Sequence, residues 1–274
     1  MINAAKISTG PSDRALAALF APASVRSLLA DLHLWAEEIE SIPFKAREPA
    51  IQAMRFAWHR EAVADLFAVP RKVRRHAAYE GLARLTETDN GLTAEILQGV
   101  IDAVEDGTLP ERIPDEAALL SVMDRHWGVL AGLALRLCGG EADAGQIRAA
   151  ARAAGLAQWC RAFSFRAGTK MALVPLDVLE ARSFNIHRLA SGLESGSATA
   201  IFEPVIALLD AELTALSGLG KCPPEAFPAL APARLARATL KTARRASDLY
   251  RTDFHRPQIA RQFALLKASM SGRL

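Results

Sequence analysis

Apolar positions recur at three- and four-residue intervals through nearly the whole chain, and alternation of apolar and polar residues never persists beyond a few positions, so the pattern predicts helices throughout. Turn-forming residues break it at Pro43, Val69–Pro70, Asp89–Gly91, Asp106–Pro110, Gly139–Gly140, Gly192–Gly196 and Gly218–Pro224, which leaves room for about nine to eleven helices. Ser24 stands where it would cap a segment from Val25, and Pro114-Asp115-Glu116 opens the segment that contains Trp127. The Gly- and Ser-rich stretch Gly192–Ser197 is the best candidate for a boundary, but the amphipathic segments on both sides need a shared core, so it reads as a loop within a single domain spanning residues 1–274.

Two segments are unusual as helices. Glu141 to Arg166 is rich in Ala, which permits close approach by several neighbours and places it centrally in a bundle. Gly128 and Gly132, one turn apart in DRHWGVLAGLALRL, each cost roughly 1 kcal/mol relative to Ala in a helix interior. Either tight helix packing against that face or clearance for a ligand chain in a bundle cavity would compensate.

Composition supports an all-α fold: half the residues are apolar, Ala, Leu, Arg and Glu dominate, and 274 residues suffice for one large core. The excess of 33 Lys and Arg over 30 Asp and Glu is small and dispersed, which argues against nucleic acid as a partner but leaves an anionic membrane surface open. Cys138, Cys160 and Cys222 are widely separated within apolar stretches, so reduced buried thiols are expected rather than disulfides or a zinc site. The stretch ALAALFAPA, Ala15 to Ala23, has a superficial signal-peptide look, but Asp13 precedes it and Asp31, Glu37 and Glu38 follow closely. With no uncharged apolar run near ~20 residues, the expectation is a cytoplasmic protein, with peripheral membrane contact open.

Three segments carry a family resemblance. LHLWAEEIES followed by REPAIQAMRFAWHREAV, Leu32–Ser41 and Arg47–Val63, is similar to an acid-rich YAFCRxxDDxxD helix followed by a helix with an R-x-x-x-W pattern, here Met54, Arg55, Trp58, Arg60 and Glu61, with Arg55 and Trp58 one residue closer than in that pattern. DRHWGVLAG is similar to a glycine-containing helix that lines a cavity, and AGLAQWCRAFSFRAGTKMALVP, Ala154–Pro175, keeps the frame of a motif Q-x-x-N-x-x-R-D-x-x-x-D-x-x-x-G-R-x-Y-L-P. In order and spacing these resemble the squalene/phytoene synthase family. The resemblance implies an all-helical, single-domain bundle of the isoprenoid synthase type around a central cavity that binds prenyl diphosphates.

The same frame shows what is missing. With its final Pro on Pro175, the second motif's Arg falls on Arg161, and its two aspartates become Ala162 and Arg166. With the first region anchored on Trp58, the acids of the first motif fall on Ile39, Glu40 and Pro43, so one of three survives; Glu37 and Glu38 are near. Facing carboxylates would hold Mg²⁺ to neutralise a departing diphosphate. Ala162 offers no ligand, and Arg166 would oppose a cation by roughly 4 kcal/mol per unit charge at 4 Å and an effective dielectric near 20. Arg161 and Arg166, ~140° apart around a helix, do not form a phosphate clamp together; pairing with Glu37, Glu40 or Glu61 across the bundle is the expected compensation.

Glu37, Glu40, Arg55, Trp58, Gly128, Gly132, Arg161, Ala162 and Arg166 are therefore the candidate residues of a former active site, with no catalytic residue and no metal ligand among them. Within the family the segments look most like the branch of the mitochondrial respiratory complex I assembly factor and its bacterial relatives. That implies a noncatalytic binding or respiratory-complex assembly role, a protein partner, and an isoprenoid or lipid as candidate ligand, with no cofactor. The competing expectation is a farnesyl or geranylgeranyl diphosphate transferase using Mg²⁺ and nonstandard acids such as Glu37, Glu40 or Asp177. A helical scaffold unrelated to isoprenoids is the third. The six histidines lack metal or nucleophile spacing, and the basic, amphipathic C-terminal segment reads either as a solvated outer face or as a surface for anionic lipid or an acidic protein.

Overall fold

The computed structural model describes residues 11–88, 90–184 and 195–274, and every regular element among them is a helix. In chain order these are α1 (Asp13–Ala18), α2 (Arg26–Lys45), α3 (Pro49–Phe67), α4 (Ala77–Leu85), α5 (Ala94–Asp106), α6 (Glu116–Met123) and α7 (Val129–Leu137). They continue as α8 (Ala144–Arg161), α9 (Phe163–Thr169), α10 (Leu176–Ala181), α11 (Ser195–Gly218), α12 (Phe227–Leu230), α13 (Pro232–Arg245) and α14 (Gln258–Ser271). A π-helical turn, Asp124–Gly128, joins α6 to α7 without a break. The short helices α1, α9, α10 and α12 make the count higher than the turn signals suggest.

Local chemistry explains most boundaries. Asp115 caps α6 by accepting from the Ala118 amide, as its position predicts, and Asp143 caps α8 through the amides of Gly145 and Gln146. Two expectations fail. Ser24 caps nothing: α2 begins at Arg26 after Val25, without a side-chain cap. Pro43 does not end α2 either, which runs on to Lys45; a proline so near the C-terminus disturbs only the last turn. Residues 192–194, with Asp89 and His187, lie outside the described residues, and residues 195–197, expected in a loop, instead form the start of α11.

Two hydrophobic clusters make up the core. One gathers around α8 and includes α11 and α13; the other is built from α2, α3, α4, α5 and α7, with Trp35, Tyr79 and Phe56 fully buried. As expected, α8 is central: its run of buried small residues lets α6, α7, α11, α12 and α13 all pack against it. The expected single helix from Glu141 to Arg166 instead starts at Ala144 and is interrupted at Ala162, after which α9 begins. All three cysteines are buried and free.

The glycines that matter for close packing are not the two singled out in the sequence. A Cβ on Gly132 would meet nothing within 4 Å, and one on Gly128 would only touch the Met123 carbonyl at 4.0 Å. Tight packing therefore explains neither. On α8, by contrast, a Cβ on Gly155 would lie 2.6 Å from Met123 Sδ and 2.7 Å from Trp127 Cδ1. Gly155→Ala is expected to lower the stability of the full chain by about 1–3 kcal/mol through overpacking, whereas Gly132→Ala leaves it unchanged or raises it by about 0.5–1 kcal/mol. Urea midpoints of the two variants test this, and a Gly155→Ala midpoint equal to wild type would contradict it.

Candidate functional site

The centre of the site comes from a short helix, α1. Ser12 caps α1 by accepting from the Ala15 amide, and Leu16, Ala17 and Ala18 bury its apolar face. This fixes the adjacent charges Asp13 and Arg14 between the large helices. Arg14 Nη2 donates to Glu40 Oε2 on α2 at 2.5 Å, and its guanidinium lies 4.7 Å from the centre of the Trp127 ring in the π turn. Asp13 Oδ2 forms an ion pair with Arg161 Nη2 on α8 at 3.0 Å, and its Oδ1 accepts from Arg261 Nη1 on α14 at 2.9 Å. Two consecutive residues thus tie α1 to α2, the π turn, α8 and α14.

The π turn completes the arrangement. By widening the helix it presents His126 and Trp127 side by side, and Gly155 leaves the room that the indole needs. His126 Nε2 donates to Glu40 Oε1 at 2.7 Å. Burial alone would raise the Glu40 pKa, but the charge of Arg14 and the hydrogen bond and charge of His126 outweigh it and hold the carboxyl down to about 2. His33, two turns before Glu40 on α2, is pushed down to about 3 by burial and then by the charge of Arg14, against the opposing pull of Glu40. It is a neutral imidazole at ordinary pH.

Little space remains. Arg14, His33, Trp127, Ala131, Ala154 and Leu230 are among the residues around a cavity of about 20 Å³, enough for one water and far below the ~300 Å³ at which small-molecule pockets begin. Arg14 Nη1 and His33 Nδ1, both buried without a protein partner, belong to residues that line it.

The predicted residues divide into those the structure joins and those it separates. Glu40 and Arg161 are linked through Arg14 and Asp13. The expectation that Arg161 or Arg166 would pair with Glu37, Glu40 or Glu61 is not met: Asp13 takes Arg161, and Glu61 faces Arg74. Among the described residues Arg166 has no carboxylate partner. Its Nη1 donates to the carbonyls of Gly107, at the C-terminal end of α5, and of Ala172, each at 2.8 Å, and the guanidinium stacks 3.4 Å from the Trp159 ring centre. Those carbonyls and the negative end of the α5 dipole stand in for an acid, while burial lowers its pKa to about 9. Ala162 is buried at the joint between α8 and α9.

Glu37 is half-buried and makes no hydrogen bond or ion pair among the described residues. Arg55 is exposed on α3, and Trp58 packs edge-on against His59, His76 and Tyr79 in the second hydrophobic cluster. Neither lines the small cavity, nor do Gly128 and Gly132. The residues that sequence reasoning missed are Asp13, Arg14 and Arg261, together with the partnership of His33 and His126 with Glu40. A pair of opposite charges beside an otherwise apolar run was the available signal.

With this geometry in place, comparison with known proteins is decisive at the level of family: the squalene/phytoene synthase profile matches residues 8–262. The chain belongs to that family. Its fold also matches the crystal structure of a dehydrosqualene synthase in complex with ligand, with a TM-score of 0.65 and 12% identity, over 98% of this chain and 94% of that one. At that identity the likeness establishes the fold, an isoprenoid synthase bundle. No curated protein matches the sequence.

The magnesium cluster implied by the family resemblance does not fit the residues present. Glu40 is engaged on both oxygens by Arg14 and His126, Ala162 has no donor, and Arg166 is a cation. Among the described residues no group of three His, Cys, Asp or Glu side chains converges.

Two predictions follow from the charges. Arg14→Met leaves Glu40 buried with one partner fewer and is expected to cost about 3–5 kcal/mol, with part of it recovered in the Arg14→Met/Glu40→Leu double variant; a loss under about 1 kcal/mol for the single variant in urea unfolding would mean the pair is idle. Stability should also fall on acidification in two stages. His33 and His59, with folded pKa values of about 3 and about 4 against the ordinary 6.5, take up protons first in the unfolded chain, so their contribution declines as pH falls below about 6.5. The contribution of Glu40, about 2 in the folded state, is full above about 4.5 and declines only below it. His33→Gln should flatten the decline between about pH 6.5 and about pH 3, by at most about 1.4 kcal/mol per pH unit.

Proposed function

We propose that this member of the squalene/phytoene synthase family has given up metal-dependent prenyl-diphosphate condensation and serves as a noncatalytic binding protein, with a role in respiratory-complex assembly. One observation carries the first half: the protein's own ion pairs occupy the position between the two motif helices. Arg14 offers Glu40 a permanent positive partner, so no metal is needed to neutralise that carboxylate. Asp13 does the same for Arg161, leaving that guanidinium no role in holding a diphosphate. The Asp177 carboxylate, suggested as a substitute acid, is exposed at the start of α10.

The assembly half rests on the resemblance of REPAIQAMRFAWHREAV and RAFSFRAG to the complex I assembly branch. In this reading a cavity that once held substrate has become a packed interior, and the surface of the bundle is what a protein partner meets.

Incubation of the purified full chain with labelled farnesyl or geranylgeranyl diphosphate and Mg²⁺ is expected to release no diphosphate above a boiled control. Metal-dependent release would sink the noncatalytic reading in favour of a transferase with nonstandard acids. Crosslinked capture of the chain from its native membranes is expected to recover subunits of a respiratory complex, and recovery of none would remove the assembly role while leaving the first result standing.

A further inference from the structure

The outer face of α14 is apolar and, among the described residues, has nothing over it. Ile259, Phe263, Leu266 and Met270 are 63%, 64%, 48% and 83% exposed. Their spacing of four, three and four residues puts them within about 60° of arc at 100° per residue, a continuous stripe along the helix. The opposite face carries the buried Leu265 and Ala268, and packs against α13 and α1. Arg261 fastens that face by its bond to Asp13. The stripe is thus presented on a fixed base.

The charged side chains along this segment are all of one sign. From Arg256 to Leu274 the sequence has four basic residues and no acid. Arg261 is used inside, whereas Lys267 and Arg273 are exposed beside the stripe, and neither side chain, nor that of Arg256, has an ion pair among the described residues. No described helix is long and apolar enough to cross a membrane. A helix with large apolar residues on one side, basic residues at its flanks and its axis along the protein surface suits the plane of an anionic lipid headgroup layer.

We infer that α14 docks the protein on an anionic membrane surface, with Ile259, Phe263, Leu266 and Met270 entering the acyl boundary and Lys267 and Arg273 meeting lipid phosphates. Charge complementarity selects this occupant. A second copy of the chain would bring like charges face to face, and a helix of two heptads offers a short seam for a coiled coil. A bilayer demands no matching shape.

Co-sedimentation of the full chain with phosphatidylglycerol/phosphatidylcholine vesicles and with phosphatidylcholine vesicles separates the possibilities. Wild type is expected to bind the anionic vesicles at least about tenfold better, and to lose most of that preference when salt rises from about 0.1 M to about 1 M and shortens the Debye length to about 3 Å. Phe263→Asp/Met270→Asp should reduce binding about tenfold or more, and Lys267→Ala about fivefold. Because these side chains are exposed, far-ultraviolet circular dichroism and melting of the variants should match wild type. Vesicle binding by the double variant equal to wild type would overturn the assignment. So would failure of wild type to bind either vesicle, which would favour an acidic protein partner, or a dimer in sedimentation velocity that the double variant abolishes.

Discussion

Two adjacent side chains of opposite charge, Asp13 and Arg14, hold the interior of this bundle together. Neither is tolerable there alone, since an unpaired buried charge costs several kcal/mol. Each finds partners from a different direction: Arg14 reaches Glu40 and the face of Trp127, and Asp13 divides its two oxygens between Arg161 and Arg261. The geometry works only if α1 sits between the helices rather than on top of them. That position is set by its buried Leu16, Ala17 and Ala18.

The remaining features of the interior follow from that placement. Glu40 is kept ionised by Arg14 and His126, so the His126 ring must turn inward, and the π turn supplies the extra room that brings it there beside Trp127. The indole in turn requires Gly155 on α8. Farther along, Arg166 spends its guanidinium on the carbonyls that end α5 and precede α10, which joins α9 to the rest of the bundle. Glu40, Arg161 and Arg166, the charged residues at the positions of the family's motifs, are therefore each committed to a partner within the protein. Beside Arg14, His33 and Trp127 there is room for one water.

The helical class, the central Ala-rich helix and the cap at Asp115 were legible because they rest on local periodicity and on short-range hydrogen bonding. The family was suggested by the resemblance of Arg47–Val63 and Ala154–Pro175 to its motifs, and it holds. The contacts that define the site could not. Arg14 and Glu40 are 26 residues apart and Asp13 and Arg261 are 248 apart, and a single sequence carries no record of which charges meet at such distances. Arg166 was misjudged for a related reason: the search was for a carboxylate partner, and backbone carbonyls, present at every residue, leave no mark in the sequence. Gly128 and Gly132 drew attention by their composition, whereas Gly155, hidden in a run of alanines, is the one whose missing Cβ is needed.

The central claim is that α1 is a structural part of the closed interior. Amide hydrogen exchange of the full chain, read at Leu16, Ala17 and Ala18 and compared with α8, tests it most directly. The account predicts that these amides exchange as slowly as those of α8 and that farnesyl diphosphate with Mg²⁺ does not speed them. Exchange at the rate of a frayed end, or release of α1 on addition of the diphosphate, would contradict it and describe an interior that opens to admit a ligand.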